Sequence, residues 1–312
     1  MFCSTVIPTV NRPTLFQAVH SVLDQDFAAH DFEVIVVNDS GQQLPGTDWQ
    51  RSARVRVIHT DRRERSTARN AGAAVARGKY LHFLDDDDWM LPGALEHFWE
   101  LSQTSQAAWL YGGYRLVDLN KKVLRECYPD ESGNCFVRFI AGEWLPLQAS
   151  LIESQVFFAL GGFAPLTSLL GGDEDVDLTR QFSLHHDIAG SPSPVVVIRV
   201  GLESSTTNYT NLHQQSRKSR EKALGAPGAF VRLRASALER KVASGYWQGR
   251  IVWFYLTSVL WNLQNKKPLT AASRLVFGIT SLLLAGRHVL SERFWRGAIK
   301  PHITRGWLSI HV

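Results

Sequence analysis

The first part of the chain alternates short β-rich apolar runs with segments of helical periodicity, and this alternation restricts the possible folds more than any other feature. It is typical of a mostly parallel sheet covered by helices. We expect strands near residues 2–8, 32–38, 55–59 and 80–84. The predicted fold class is therefore α/β, with a mixed, mostly parallel sheet flanked by helices.

Helix signals fill the segments between these strands. The first helix is expected to begin near Pro13, and the third after Pro92. The second is expected to be capped by Ser66 or Thr67 and to stop at Gly78. Each helix would place one apolar face on the sheet.

The regular alternation loosens beyond about residue 107, so the following segment is expected to be α+β. Strand-like pieces lie near 107–117, 147–152 and 194–200, and helical pieces near 153–160 and 173–185. Past a boundary that we expect near 205–225, the pattern changes to basic, Trp-rich helices.

Cysteine usage and the N-terminal residues bear on the cellular compartment. Three cysteines, Cys3, Cys127 and Cys135, fit neither a disulfide framework nor a four-ligand zinc site. The chain enters strand-like sequence directly, without the features of a signal peptide. We therefore expect a reducing, cytoplasmic setting.

Four consecutive carboxylates, Asp85 to Asp88, follow the fourth predicted strand. In open α/β sheets, ligands bind at the edge where the loops leave the carboxyl ends of the strands. Adjacent acids repel one another unless a cation or solvent intervenes, and hard oxygen ligands suit Mg²⁺ or Mn²⁺. The run therefore predicts a metal–diphosphate site, and a solvated acidic turn is the alternative.

Two further elements could complete an anion site. Asp39 ends the second strand, where its carboxylate could accept hydrogen bonds from a base or ribose. Its Asn-Asp-Ser-Gly context is also a common turn. Arg62, Arg63, Arg65 and Arg69 lead into a helix, where cations and backbone N–H groups can face phosphate, although a solvated basic face explains them too.

Four ordered segments resemble family 2 glycosyltransferases. They are "VIPTVNRPTLFQAVHSVLDQDF", "VIVVNDSG", "STARNAGAAVARGKYLHFLDDDDW" and "GGDEDVDLTRQFS", and they cover roughly residues 2–185. The resemblance implies an inverting transferase with a GT-A, Rossmann-like fold that uses a nucleotide-diphospho-sugar. From the resemblance together with the change of pattern along the chain, we expect a catalytic domain at 1–213, with a nucleotide-binding half at 1–105 and an acceptor half at 106–213, followed by a helical region at 214–312.

The resemblance also implies roles for individual residues. It places Thr9, Asp39 and Asp85 on the nucleotide-sugar, and we also assign Arg69 of the basic stretch and Asp86 of the acidic run to that side. Asp87 is expected to ligate Mn²⁺ or Mg²⁺ with support from Asp88, and the register within the acidic run is open by one residue. The family often has Asp-Asp-Gly-Ser where this chain has Asn-Asp-Ser-Gly, which keeps Asp39 but leaves its neighbours unassigned.

An inverting transfer needs one base to deprotonate the acceptor hydroxyl. The acids Asp173, Glu174 and Asp175 open a predicted helix, where they also suit the helix dipole or could simply cap it. The resemblance assigns the base to Asp175, and Glu174 is expected to help bind the acceptor. We expect Arg180 to pair with nearby acids and His213 to lie in a surface loop.

The last hundred residues differ in charge from the rest. Residues 214–312 carry 17 Lys and Arg against 3 Asp and Glu, together with five tryptophans. Two uncharged stretches, 251–265 and 275–286, fall short of the ~20 residues that span a bilayer. The mixture suits the surface of an anionic membrane, so a peripheral position on the inner face of the cell membrane is one prediction.

Packing of the tail on the catalytic domain, or on a second subunit as a homo-oligomer, is the alternative. Nucleic acid is not an expected partner, because no recognised binding motif accompanies the charge.

The predicted function is transfer of a sugar from a nucleotide-diphospho-sugar to a glycan or lipid-linked saccharide, in bacterial surface polysaccharide or glycolipid synthesis. One rival is a sugar nucleotidyltransferase, which usually carries a Gly-rich loop after its first strand, whereas "PTVNRPTLF" has no glycine. The other rival is an inert sugar-nucleotide-binding or membrane-scaffold protein, against which the acidic run and Asp175 both argue.

Overall fold

The computed structural model describes residues 1–28, 31–128, 132–143, 145–164, 174–200, 218–235 and 245–299. The strands are β1 (Cys3–Thr9), β2 (Phe32–Asn38), β3 (Val55–His59), β4 (Tyr80–Phe83), β5 (Trp89–Met90), β6 (Trp109–Val117), β7 (Val123–Cys127), β8 (Ser150–Glu153) and β9 (Ile188–Arg199). The helices are α1 (Leu15–Leu23), α2 (Arg65–Ala74), α3 (Ala94–Thr104), α4 (Phe136–Ile140), α5 (Ser154–Ala159), α6 (Glu174–His185), α7 (Ala229–Arg234), α8 (Gly245–Gln264), α9 (Pro268–Ala285) and α10 (Glu292–Ile299).

Within the described residues, the strands form one sheet in the order β3-β2-β1-β4-β8-β6-β9-β5, with β7 paired to β6. The part from β3 to β4 is parallel. Beyond β4, β8 runs antiparallel to both β4 and β6, while β9 runs parallel to β6. The carboxyl ends of β1, β2 and β4 therefore meet at one edge, and the predicted α/β class with four leading strands is confirmed.

The inner strands β1, β2 and β4 of the parallel part are covered on both faces. All seven residues of β2 are buried, as expected for a strand with the apolar run 34–37. Neighbouring side chains of β1 point to opposite sides, so Val6 and Ile7 belong to two separate hydrophobic clusters. One cluster includes α1 and α3, and the other includes α2, α5 and α6.

The boundaries of α2 differ from the prediction. The N-cap is Glu64, whose carboxylate accepts hydrogen bonds from the backbone N–H groups of Ser66 and Thr67. The helix stops at Ala74, before Gly78. Gly78 instead lies against β1, where an added Cβ would come within 2.5 Å of the backbone nitrogen of Ser4. Close packing of two backbones, and not helix termination, explains this glycine.

Two later strands also differ from their predicted limits. Residues 147–149 form a short 3₁₀ helix, and β8 begins only at Ser150. β9 begins at Ile188, before the predicted 194, because its first residues pair with β6 from Trp109 onward.

The basic tail shares a core with the rest of the chain. Trp247, Ile251 and Phe254 of α8 belong to the same hydrophobic cluster as Phe136 of α4 and Phe182 of α6. Packing on the remainder of the chain, one of the alternatives for the tail, is therefore what the described residues show.

Three buried arginines fix the end of α4. Arg180 of α6 donates to the carbonyl of Phe139 at 3.1 Å, Arg220 to that of Ile140 at 3.0 Å, and Arg250 of α8 to that of Ala141 at 2.9 Å. These carbonyls lie at the C-terminal end of the helix, where few helical N–H donors remain, so the cations add hydrogen bonds there and complement the helix dipole. Arg180, which we expected to pair with acids, thus bonds to a backbone carbonyl.

The apolar stretch near the C-terminus is longer than the sequence suggested. α9 and the 3₁₀ turn that follows it form a helical segment from Pro268 to Leu290, long and apolar enough to cross a membrane by length and composition. Arg274 interrupted the stretch in the sequence, but its side chain is buried and pairs with Glu221 at 2.8 Å.

Candidate active site

The acidic run begins immediately after the strand β4, at the edge where β1 and β2 also end. Thr9 ends β1, and its carbonyl accepts a hydrogen bond from the backbone N–H of Asp39, which follows β2. Because parallel strands align their carboxyl ends, the predicted nucleotide-binding residues that follow these strands lie at one edge of the sheet.

Three of the four aspartates form a compact cluster. One carboxylate oxygen from each of Asp85, Asp87 and Asp88 lies within 4.8 Å of the others. Burial, followed by repulsion from Asp85, raises the pKa of Asp87 and raises that of Asp88 well above its usual range. Asp88 also accepts a hydrogen bond from the backbone N–H of Arg199 at 2.7 Å. Hard oxygen ligands whose negative charges repel one another fit a divalent cation such as Mn²⁺ or Mg²⁺.

Asp85 differs from the other members of the cluster because side-chain donors, one of them a cation, contact both of its carboxylate oxygens. Arg69 donates to one of its oxygens at 2.6 Å, and the amide of Gln148 donates to the other at 2.7 Å. Burial opposes ionisation of Asp85, but the Arg69 charge and these hydrogen bonds outweigh it and lower the pKa. Asp85 is therefore the carboxylate of the cluster most readily ionised.

Arg69 joins the acidic cluster to α6. Its guanidinium is buried and also donates to Glu174 at 2.9 Å, so it bridges the carboxylates of Asp85 and Glu174. Arg65 makes a second ion pair with Glu174 at 2.6 Å. Burial disfavours the charged form of Arg69, but the acids around it outweigh burial and raise its pKa.

Asp175 follows Glu174 in the first turn of α6 and is only partly buried. One of its carboxylate oxygens accepts the N–H of Val176 at 2.8 Å. Its charge is close enough to Arg69 to contribute to the raised pKa of that arginine. The buried ion pairs of Glu174 thus hold the start of α6, and with it Asp175, beside the acidic cluster.

Asp86 points away from the cluster. It accepts the hydroxyl of Thr9 at 2.6 Å and the guanidinium of Arg12 at 2.8 Å. Arg12 also lies 3.2 Å from an oxygen of Asp87. Burial raises the pKa of Asp86 despite these two partners. Our sequence interpretation did not include Arg12, although its position just after β1 places it at the same sheet edge.

Asp39 is buried and organises the loop that precedes α2. It accepts hydrogen bonds from the hydroxyl of Thr60 and from the backbone N–H groups of Arg62 and Glu64, all within 2.9 Å. Burial would raise the pKa of Asp39, but these hydrogen bonds outweigh burial and lower it. Asp39 is therefore an ionised anchor for the loop of residues 60–64.

The sequence interpretation also missed Gln148, His82 and Thr5, which are connected to Asp85 through a series of hydrogen bonds. The backbone carbonyl of Gln148 lies 2.9 Å from Nε2 of His82, and Nδ1 of His82 lies 3.2 Å from the hydroxyl of Thr5. A carbonyl can only accept, so Nε2 carries the proton and Nδ1 accepts from Thr5. Burial lowers the pKa of His82 to about 4. Polar residues at buried strand positions, Thr5 and His82, were the available signal.

Several predicted residues fall elsewhere. Asp173 and His213 lie outside the described residues. In the basic stretch, Arg62 offers its backbone N–H to Asp39, while Arg63 donates its side chain to the carbonyl of Ser40 at 3.2 Å.

The order of the strands and the position of the carboxylate cluster together identify the type of fold. An α/β sheet of this order, with carboxylates clustered beyond β4, is a GT-A-type fold. Two solved structures of TarS from S. aureus, one of them in complex with UDP-GlcNAc, resemble the chain with TM-scores of 0.57 and 0.56. Each TarS chain has 15% sequence identity to this chain, and each match covers 88% of this chain and 90% of the TarS chain. The similarity therefore supports the fold alone.

The chain belongs to glycosyl transferase family 2, whose family model matches residues 4–161. It is 34% identical over 108 residues to an uncharacterized glycosyltransferase, EpsJ, of Bacillus subtilis, covering 33% of this chain and 31% of that protein. It is 25% identical over 163 residues to the poly(ribitol-phosphate) beta-N-acetylglucosaminyltransferase TarP of Staphylococcus aureus, covering 50% and 46%. The chain thus spans less than half of the length of both relatives.

Proposed function

We propose that this chain is an inverting glycosyltransferase that moves a sugar from a nucleotide-diphospho-sugar to an acceptor hydroxyl. The observation that carries the proposal is the buried ion pair network in which Arg69 bridges Asp85 and Glu174. Through it, the carboxylate cluster that fits a divalent cation and the partly exposed Asp175 are held near one another, as a displacement between two substrates requires.

The cation site would consist of Asp87 and Asp88 with Asp85. Mn²⁺ or Mg²⁺ held there would stabilise the charge that develops on the leaving nucleoside diphosphate. The raised pKa values of Asp87 and Asp88, caused by burial and then by repulsion from Asp85, support the assignment, because a bound cation would stabilise the charged form of both carboxylates. Asp85, held by Arg69 and Gln148, would face the ribose.

The nucleoside would lie at the ends of β1 and β2. Asp39 keeps acceptor capacity beside the loop of residues 60–64, and Thr9 lies next to it. Asp86 would affect donor binding indirectly, by positioning Thr9 and Arg12, which both donate hydrogen bonds to it. This division assigns Asp39 to recognition and Asp86 to positioning.

On the acceptor side, Asp175 would take the proton from the attacking hydroxyl. The carboxylate of Glu174 is buried against Arg65 and Arg69, so we assign it to positioning Asp175 and the acceptor site. A base held within hydrogen-bond reach of the attacking group contributes roughly 10²–10⁴-fold to the rate.

Substrate class is inferred from the relatives. The UDP-GlcNAc complex of TarS and the activity named for TarP make UDP-GlcNAc the first donor to test. A bacterial surface glycan or lipid-linked saccharide is the acceptor that we propose, and the cytoplasm, with peripheral membrane attachment, is the location. Family membership disfavours the nucleotidyltransferase alternative.

Thermal shift with a panel of nucleotide-diphospho-sugars, with and without Mn²⁺, tests the donor. A true donor should raise the melting temperature only with the cation, by mass action on the folded state. Asp87→Asn should abolish this Mn²⁺-dependent shift while leaving the melting temperature without ligand near that of the wild type. Asp24→Asn, which changes an exposed carboxylate at the end of α1, is the matched control.

Asp175→Asn tests the base and separates the active and inert alternatives. The variant should bind donor with Mn²⁺ as the wild type does, yet lose transfer and donor hydrolysis by at least about 10²-fold. Turnover near that of the wild type would remove Asp175 from the proposed role. Wild-type protein that binds a donor but neither transfers nor hydrolyses it would favour the inert binding protein.

A further inference from the structure

The hairpin of α8 and α9 presents an apolar outer side. Leu269 is 86% exposed, Val276 60% and Leu283 75% on α9, and Leu260 is 62% exposed on α8. Further exposed apolar side chains of the two helices are Leu256, Leu263, Leu275, Ile279, Leu282 and Leu284. Together they form a surface, here called the hairpin face, that water contacts although its composition is that of a core.

The hairpin face itself has no charged side chain, but basic residues lie at both ends of α9. Residues 268–286 contain one charged side chain, Arg274, and it is buried against Glu221. Lys266 and Lys267 precede α9, and Arg287 follows it, all three exposed. Cations at both ends of a helix with an apolar exposed face match the headgroup region of an anionic bilayer, where apolar side chains enter and basic ones remain at the surface.

The packing of α9 favours a position along the membrane over one across it. Only 22% of its most apolar window is buried, unlike the core helix of a water-soluble domain. However, Gly278 packs closely on Tyr255 of α8, and Arg250 of α8 is bonded to the carbonyl of Ala141. To cross a bilayer, α9 would have to separate from α8 and carry the Arg274–Glu221 pair into lipid, which is costly.

We propose that the hairpin face is a membrane-docking surface, on which α8 and α9 lie in the interface of an anionic bilayer with Lys266, Lys267 and Arg287 at headgroup depth. Docking would hold the catalytic sheet beside the lipid surface without a membrane span. The surface carries this inference independently of the glycosyl transfer proposed above, because binding to lipid requires neither donor nor acceptor.

A second copy of the chain fits the hairpin face less well. If two faces paired in parallel, Lys266 and Lys267 would meet the same residues of the other copy. If they paired antiparallel, they would meet Arg287. Both arrangements bring like charges together, which disfavours self-association relative to an anionic surface.

Co-sedimentation of the full chain with liposomes tests the proposal. We expect binding to vesicles of phosphatidylcholine with about 30% phosphatidylglycerol to exceed binding to pure phosphatidylcholine, because the anionic lipid gives the vesicles a negative surface potential. Val276→Glu with Leu283→Glu should lower the partition coefficient at least about tenfold, since it places charge on the face. Lys266→Gln with Lys267→Gln should lower only binding to the anionic vesicles, by about fivefold for each cation.

Leu119→Glu with Val123→Glu is the matched control, because it adds the same charge at exposed apolar positions on the β6–β7 hairpin. It should bind vesicles as the wild type does apart from a small electrostatic loss. Circular dichroism and thermal unfolding establish that each variant is folded.

Equal co-sedimentation of the wild type and the Val276→Glu, Leu283→Glu variant would overturn the proposal. So would a concentration-dependent dimer without lipid, seen by light scattering, that this variant abolishes, since a second copy would then cover the face. Donor binding with Mn²⁺ is measured on the same variants without lipid, so failure of the docking proposal and failure of the proposed activity are distinguishable.

Discussion

At the scale of single residues, Arg12 is a cation that the fold places against the proposed metal ligands. It lies 2.8 Å from Asp86 and 3.2 Å from Asp87, and its side chain is half exposed. An incoming Mn²⁺ must compete with this charge. We expect Arg12→Gln to bind Mn²⁺ about two- to fivefold more tightly in the absence of nucleotide, the range of a solvent-exposed ion pair.

Mn²⁺ titration followed by electron paramagnetic resonance measures the effect of Arg12. Arg12→Lys keeps the charge and serves as control, and high salt should reduce the difference between Arg12→Gln and wild type. Unchanged or weaker Mn²⁺ affinity in Arg12→Gln would show that the arginine does not oppose the cation.

His82 gives the folded state a pH dependence of known sign. Its pKa falls from an ordinary value near 6.5 to about 4 on folding because it is fully buried. The stability gained by keeping it neutral is present above pH ~6.5 and is lost as the pH falls toward 4, by about 3 kcal/mol in the limit.

His82→Gln retains a donor to the carbonyl of Gln148 but cannot be protonated. The free energy of unfolding, from urea titrations at pH 7 and pH 4.5, should therefore fall less for His82→Gln than for the wild type, by about 2 kcal/mol. His20→Gln on α1 is the matched control. An equal loss in the wild type and in His82→Gln would mean that other groups dominate the acid sensitivity.

At the scale of elements, glycines fix how α10 docks on α8. A Cβ at Gly249 would lie 2.0 Å from the carbonyl oxygen of Phe294, and one at Gly297 would lie 2.2 Å from that of Tyr246. Gly249→Ala gains up to ~1 kcal/mol of helix propensity but forces two backbones apart, which costs ~1–3 kcal/mol. The variant should thus be less stable than the wild type.

Hydrogen exchange of residues 292–299 and thermal unfolding both report on this docking. Gly278→Ala, whose Cβ would approach the side chain of Tyr255 at 3.3 Å, should have a smaller effect because that contact can adjust. Exchange at α10 that is no faster in Gly249→Ala than in the wild type would contradict the argument.

At the scale of the whole molecule, the tail is part of the structure that holds the proposed base. Lys222 pairs with Asp177 near the start of α6, and Arg232 donates to the carbonyls of Ser183 and His186 at its end. Both ends of α6 are thus attached to the tail. We propose that residue 213 separates the catalytic part of the sequence from the tail, and that the two parts share one hydrophobic core.

Calorimetry of the full chain should therefore show a single unfolding transition, because cooperative units follow shared cores. A chain ending at residue 213 should lose this transition and the Mn²⁺-dependent binding of donor. Arg232→Gln, a milder change, should cost about 1–3 kcal/mol by leaving buried carbonyls without a donor. Two well-separated transitions in the full chain would contradict a shared core.

Residue type and periodicity determined the parallel strands and the acidic run after β4, since these depend on local pattern, and the resemblance of four short motifs indicated the family of the chain. Arg12, Gln148 and His82, which reach the site from separate elements, were not predicted, because their partners lie far away in the sequence.

Only the tertiary structure decided how the four aspartates divide their tasks. Identical neighbours in sequence received different partners: Asp85 turns to Arg69, Asp86 to Thr9 and Arg12, and Asp88 to the backbone of Arg199. The sequence specifies which residues carry a carboxyl group. The pKa of each carboxyl group and its hydrogen-bond partner depend on which distant groups the folded sheet brings within hydrogen-bond distance.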